Sequence, residues 1–120
     1  MSQITQDFAE EFTRDWIAAW NAHHLDRILS HYAEDFEMSS PLIARIGGEA
    51  SGTIRGKQAV REYWAKGLAM MPDLRFEWIA SFVGVDSLAI HFKGAGGRPV
   101  VEVLHFDADG KVGRAFAHYA

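Results

Sequence analysis

The chain has 120 residues, 48% of them hydrophobic and 23% charged, with no cysteine and a net charge of −4 at pH 7. That length builds one core rather than two, so a single domain over residues 1–120 is expected. The acidic balance argues against a nucleic-acid or anionic-membrane partner, and the lack of thiols excludes a disulfide framework and a thiolate metal site.

The first fifteen residues alternate charged and apolar positions and hold no apolar run of signal-peptide length. No stretch reaches the roughly 18 apolar residues of a membrane span. The expectation is a cytoplasmic protein.

A first amphipathic helix begins at Ser2 or Thr5, either of which can cap it through a side-chain oxygen. It ends near Asn21, where Asn-Ala-His-His breaks the pattern. Phe8, Phe12, Trp16 and Trp20 recur at every fourth position, which is the spacing of a buried stripe. A short second helix runs from His24 or Leu25 to His31. Glu34 to Ser39 alternates as a strand and is ended by Ser40-Pro41, because proline removes a ladder donor. Leu42 to Gly56 reads as a loop with at most a short strand at Thr53 to Arg55. Lys57 to Met71 is the third helix, with Val60, Tyr63, Trp64 and Leu68 along one side, and Pro72-Asp73 closes it.

Beyond that point the period changes to two. Four strands follow, Leu74 to Val83, Ser87 to Lys93, Pro99 to Phe106 and Lys111 to Tyr119, separated by Gly- and Asp-containing turns of hairpin type. Helices first and antiparallel strands afterwards make an α+β domain, with the helices on one face of a curved sheet. Strand parity places Phe76, Trp78, Ala80 and Phe82 on one face, then Leu88, Ile90 and Phe92, then Val100, Glu102, Leu104 and Phe106. Glu102 thus interrupts an apolar row.

Three stretches, AAWNAHHLDRILSHYAEDFEMSSP, GTIRGKQAVREYWAKGL and EVLHFDADGKVGRAFAHY, resemble the SnoaL-like branch of the nuclear transport factor 2-like (NTF2-like) superfamily. The resemblance spans nearly the whole chain. It implies a cone-shaped α+β barrel, three N-terminal helices packed on a strongly curved, mostly antiparallel sheet, with a deep pocket between the layers. It also implies dimerisation through the sheet's outer face. The superfamily holds isomerases, dehydratases, cyclases, epoxide hydrolases and non-catalytic modules, so the fold is specified more sharply than the activity.

Placed on the ketosteroid isomerase pattern, Trp16 stands where a tyrosine holds the oxyanion, Ser40 where the general base stands, and Glu102 where an oxyanion-holding acid stands. On the cyclase pattern the inward positions of the last strand are Ala115 and Ala117, with His118 on the opposite parity. The epoxide-hydrolase pattern needs two carboxylates bridged by an arginine, and Arg45, Arg55, Arg61 and Arg98 are not on inward strand positions.

Glu102 is therefore the candidate catalytic residue, since a carboxyl in an apolar cavity is pushed toward its neutral form and toward acid/base duty. The structural alternative is a pairing with His91 or an arginine. Trp16, Tyr32, Ser40, Tyr63 and Trp64 are the candidate substrate contacts, the aromatics as walls and the hydroxyls as polar handles. The six histidines show no metal-ligand spacing, so neither metal nor cofactor is expected. Gly94-Ala95-Gly96-Gly97 has no helix after it and reads as a hairpin turn rather than a phosphate loop. Asp107 and Asp109 lack the later glutamate of a calcium loop.

Two functions remain open. One is a cofactor-independent isomerase, dehydratase or cyclase acting on a small apolar substrate through Glu102. The other is a non-catalytic ligand-binding or dimerisation module. Val101, Val103, Arg114 and Phe116 fall on the convex face, and such an apolar strip predicts a homodimer.

Overall fold

The structure, a computed structural model, describes residues 3–120. Helix α1 (Gln6–Asn21) starts at Thr5, whose Oγ1 accepts a hydrogen bond from Phe8 N at 3.0 Å. Ser2, the other candidate cap, lies outside the described residues. The buried stripe of α1 is Ala9, Phe12, Thr13, Trp16, Ala19 and Trp20. Thr13 sits in this row because its hydroxyl is satisfied twice, donating to Ala9 O at 2.7 Å and sharing a 3.0 Å hydrogen bond with Ser81 Oγ.

The chain reverses at His23, a residue with positive φ (54°) whose Nε2 lies 2.8 Å from Leu74 O. Helix α2 (Leu25–Leu29) follows, capped by His24 Nδ1, which accepts from Arg27 N at 3.2 Å. The end of α1 is tied to the far half of the chain by Asn21. Its amide donates to Phe76 O and its Oδ1 accepts from Phe76 N, at 3.0 and 2.7 Å.

Strand β1 (Tyr32–Ser39) leads into helix α3 (Pro41–Ile46), where the sequence reading places a loop. Ser-Pro acts here as N-cap and first helical residue: Ser40 Oγ accepts from Leu42 N at 3.2 Å, and proline lacks only an N–H the helix start does not use. The same dipeptide that ends the strand begins a helix. Four helices, not three, therefore cover the sheet, with β2 (Thr53–Arg55) and α4 (Lys57–Met70) completing the first half.

The remaining strands are β3 (Glu77–Val83), β4 (Ser87–Lys93), β5 (Pro99–Phe106) and β6 (Val112–Tyr119). All six strands form one open sheet in the order β2-β1-β6-β5-β4-β3, antiparallel except where β1 runs parallel to β6. Register breaks in β1, β3 and at the β5–β6 end are the bulges that bend the strands over the helices. Alternation buries Leu88, Ile90 and Phe92 of β4, Val100, Glu102, Leu104 and Phe106 of β5, and Val112, Ala115 and Ala117 of β6.

The bulge in β3 corrects one expectation. Trp78 lies opposite Phe92, but Ile79 is skipped, so Ala80 faces His91 and Phe82 faces Ala89 on the outer side. Phe82 is 60% exposed, and Ser81 and Val83 take the inward positions opposite Ile90 and Leu88. One extra residue flips every later side chain to the other face. Among the described residues no helix is long and apolar enough to cross a membrane.

Candidate functional site

The cavity begins where α1 changes from phenylalanine to tryptophan. A space of about 430 Å³ lies between the C-terminal half of α1, helices α3 and α4, and the inner face of the sheet. Trp16, Trp20, Trp64, Phe76 and Phe92 form its walls. These rings brace one another: Trp20 meets Trp64 edge-on at 4.9 Å, Trp16 meets Phe92 edge-on at 5.4 Å, and Phe76 lies 4.5 Å from Phe92. Ile46 and Met70, 58% and 69% exposed, border its mouth from the ends of α3 and α4.

Glu102 lies on the floor. Its strand neighbours on the inner face are Ile90 of β4 and Ala117 of β6, and only 6% of the residue is exposed. His91 is on the outer face opposite Val101, so it cannot reach the carboxyl. No arginine, lysine or hydrogen-bond donor among the described residues pairs with Glu102, and burial alone pushes its pKa from 4.5 to about 7. The structural alternative, a neutralised ion pair, is absent there.

Tyr119 is the second polar group. It lines the cavity from β6, opposite Val100 and one inward position beyond Ala117. Burial raises its pKa; a hydrogen bond from Ser40 lowers it, the Glu102 charge raises it, and the positive charges of Arg98 and Arg45 lower it. Leu42 N–H donates to the Ser40 oxygen at 3.2 Å, and the Ser40 hydroxyl stabilises the ionised form of Tyr119.

Trp16, Ser40, Tyr63, Trp64 and Glu102 all border the cavity, as does Met38. Tyr63, partly buried, has its pKa pushed up to about 12 by burial and then by Tyr119. Tyr32 is a correction, because it does not line the space. It stands behind Trp16 and accepts the indole Nε1–H at 2.9 Å, fully buried, with its pKa driven well up by burial first and the Glu102 charge second. This bond uses the only donor of Trp16, so the indole offers the cavity its apolar ring. Trp20 Nε1 is the buried side-chain polar atom left without a partner among the described residues.

Beyond Trp20, Met38 and Phe76, Tyr119 and Phe92 are lining contacts that the sequence reading leaves off its substrate set. Both follow from continuing a parity already in hand, Tyr119 from Ala115 and Ala117, and Phe92 from Leu88 and Ile90. No histidine lines the cavity, and among the described residues no three His, Asp or Glu side chains gather to hold a metal ion. His31 instead pairs with Asp15 at 2.6 Å on the far side of α1, beside the Arg27–Asp15 contact.

No curated protein matches this sequence. Solved structures do. A SnoaL-like protein of unknown function from Burkholderia thailandensis shares 61% identity over 98% of each chain, with a TM-score of 0.96. A protein of unknown function with a cystatin-like fold from Methylobium petroleophilum aligns at a TM-score of 0.77 with 16% identity, over 98% of this chain and 79% of its own. A hypothetical protein with a ketosteroid isomerase-like fold from Catenulispora acidiphila, solved in complex with trimethylamine, aligns at 0.74 with 17% identity over 92% and 85%. At such identities the last two carry the fold alone. The model of the SnoaL-like domain matches residues 13–115, from the buried Thr13 of α1 to the inward Ala115 of β6, and this chain belongs to that SnoaL-like family.

Proposed function

We propose that this protein is a cofactor-independent enzyme of isomerase, dehydratase or cyclase type that moves a proton on a small, largely apolar substrate through Glu102. The observation that carries the reading is a buried carboxyl, unpaired and held at a pKa of about 7, on the floor of an aromatic cavity. Near neutral pH such a group is present in both forms, so it can accept a proton from carbon and return it to another atom. Trp16 and Trp64 flatten the substrate between them and the sheet. Tyr63 contributes to the wall, and Tyr119, backed by Ser40, supplies a donor for an oxygen on which negative charge builds. Ser40 thus acts through Tyr119, since its own oxygen is engaged in capping α3.

One observation favours a second reading, a ligand-binding module that does no chemistry. Glu102 is the one buried carboxyl at the cavity, and no second titratable base stands with it where Ser40 lies. The two readings part on turnover. A thermal-shift screen against polycyclic ketones, aromatic polyketides, terpenoid epoxides and fatty acids identifies a bound class, and that class is then assayed for conversion. The enzyme reading expects Glu102→Gln to lower kcat about 10²–10⁴-fold, the usual worth of general acid/base catalysis. Conversion unaffected by Glu102→Gln removes Glu102 from the chemistry; binding without conversion leaves the module.

We further propose a cytoplasmic homodimer joined through the outer sheet face. Val101, Val103 and Phe116 lie there with the exposed Arg114 beside the Phe116 ring. Sedimentation as a monomer at micromolar concentration removes it.

A further inference from the structure

The chemistry facing the cavity is one-sided. Glu102 is the only buried charge-bearing group at its floor, and no cation meets it. At the exposed rim stand Glu49 and Glu62 with the lining cation Lys66, while Arg45 and Arg98 act on Tyr119 and not on Glu102. An anionic ligand would therefore set its charge beside an unscreened carboxylate in an apolar surrounding, where like charges repel most strongly. A neutral ligand leaves that carboxylate as it is. A cation supplies the partner the fold omits.

The walls point the same way. Phe92 and Tyr119 flank Val100 across β4 and β6, and each is a diagonal neighbour of Glu102 on the inner face, about 7–8 Å away by sheet geometry. Above them stand the indoles of Trp16, Trp20 and Trp64, and the one N–H of Trp16 is turned away into Tyr32. Aromatic faces attract a cation through their negative quadrupole, and several rings around one desolvated carboxylate form the cage that holds alkylated ammonium groups.

We propose that the cavity takes a small lipophilic ammonium ion, its cationic head against Glu102 and its alkyl or aryl body among Trp16, Trp20, Trp64, Phe76 and Phe92. The inference rests on the reading of this cavity as a small-molecule site and names the ligand class of that site. A bound cation also holds Glu102 ionised, the state in which a carboxylate accepts a proton. The rim acids steer such a ligand inward.

The test uses two probes of equal shape, benzyltrimethylammonium and its neutral isostere neopentylbenzene, titrated against the whole protein and followed by tryptophan fluorescence. The cation is expected to bind at least tenfold tighter than the isostere, and Glu102→Gln to remove most of that preference while still binding neopentylbenzene, which shows the variant folded. Wild type supplies an independent arm. With a Glu102 pKa of about 7, the ionised fraction rises about tenfold between pH 6 and pH 8, and the affinity for the permanent cation rises with it while that for the isostere stays flat. The titratable and charged groups at the cavity are the hydroxyls of Tyr32, Tyr63 and Tyr119, the rim residues Glu49, Glu62 and Lys66, and Arg45 and Arg98 beside Tyr119, with no histidine among the lining residues. Equal binding of the two probes, or a cation preference undiminished by Glu102→Gln, overturns the ammonium inference and leaves the small-molecule reading in place. Binding of neither probe overturns both.

Discussion

Helix α1 carries four large aromatic side chains at one spacing, and its two halves end in opposite surroundings. Phe8 and Phe12 close on Phe106 edge-on, at 5.2 and 5.1 Å, and border no cavity. Trp16 and Trp20, one and two turns further on, wall the open space. What differs is the sheet beneath. The N-terminal half packs its two rings on Phe106, whereas the C-terminal half stands over the Glu102 end of the sheet, where the cavity opens. A periodic stripe shows which side chains leave water, and the opposing layer decides whether they fill a core or line a room.

The largest effect that sharpens this contrast is expected at the closed end. Phe12→Ala should cost about 3–5 kcal/mol in denaturant unfolding, as for an aromatic removed from a packed site, without changing probe binding at the cavity. A loss under about 1 kcal/mol would mean the closed end collapses as freely as an open one.

At the cavity end the sign reverses. Glu102 is neutral in the folded protein up to about pH 7 but ionises near 4.5 when unfolded, so the folded state binds the extra proton between those values and stability falls as pH rises through that window. Glu102→Gln should abolish this slope and be more stable than wild type by about 3 kcal/mol above pH 7, with the two converging below pH 4.5. Parallel pH profiles would mean that the carboxyl is paired or hydrated.

The smallest effect separates capping from binding. Ser40→Ala removes the cap of α3 and should cost about 1 kcal/mol. Spectrophotometric titration should also show its tyrosines ionising at higher pH, because Tyr119 loses the hydrogen bond that lowers its pKa. An unchanged titration would detach Ser40 from Tyr119.

Much of this is legible in the sequence. The strands at 87–93 and 99–106 lie where alternation puts them, and the same parity places Glu102 on the inner face. The misreadings have local causes. Ser40-Pro41 carries one signal for ending a strand and another for starting a helix, and only the first was read. The β3 bulge is a single skipped residue with no mark in composition, yet it moves Phe82 from the interior to solvent. Tyr32 looked like a pocket hydroxyl because periodicity says that a ring is buried, not what its oxygen meets.

Periodicity, capping residues and turn chemistry are properties of neighbours along the chain, so the sequence by itself determined three of the four helices, the strands, the α+β order and the inward carboxyl. The parallel seating of β1 on β6, the cavity over Glu102 and the lack of an arginine partner for Glu102 among the described residues are relations between segments distant in the chain. Their energies depend on distances that only the folded layers set, which is why tertiary structure alone decided where the cavity lies and how its one buried acid is charged.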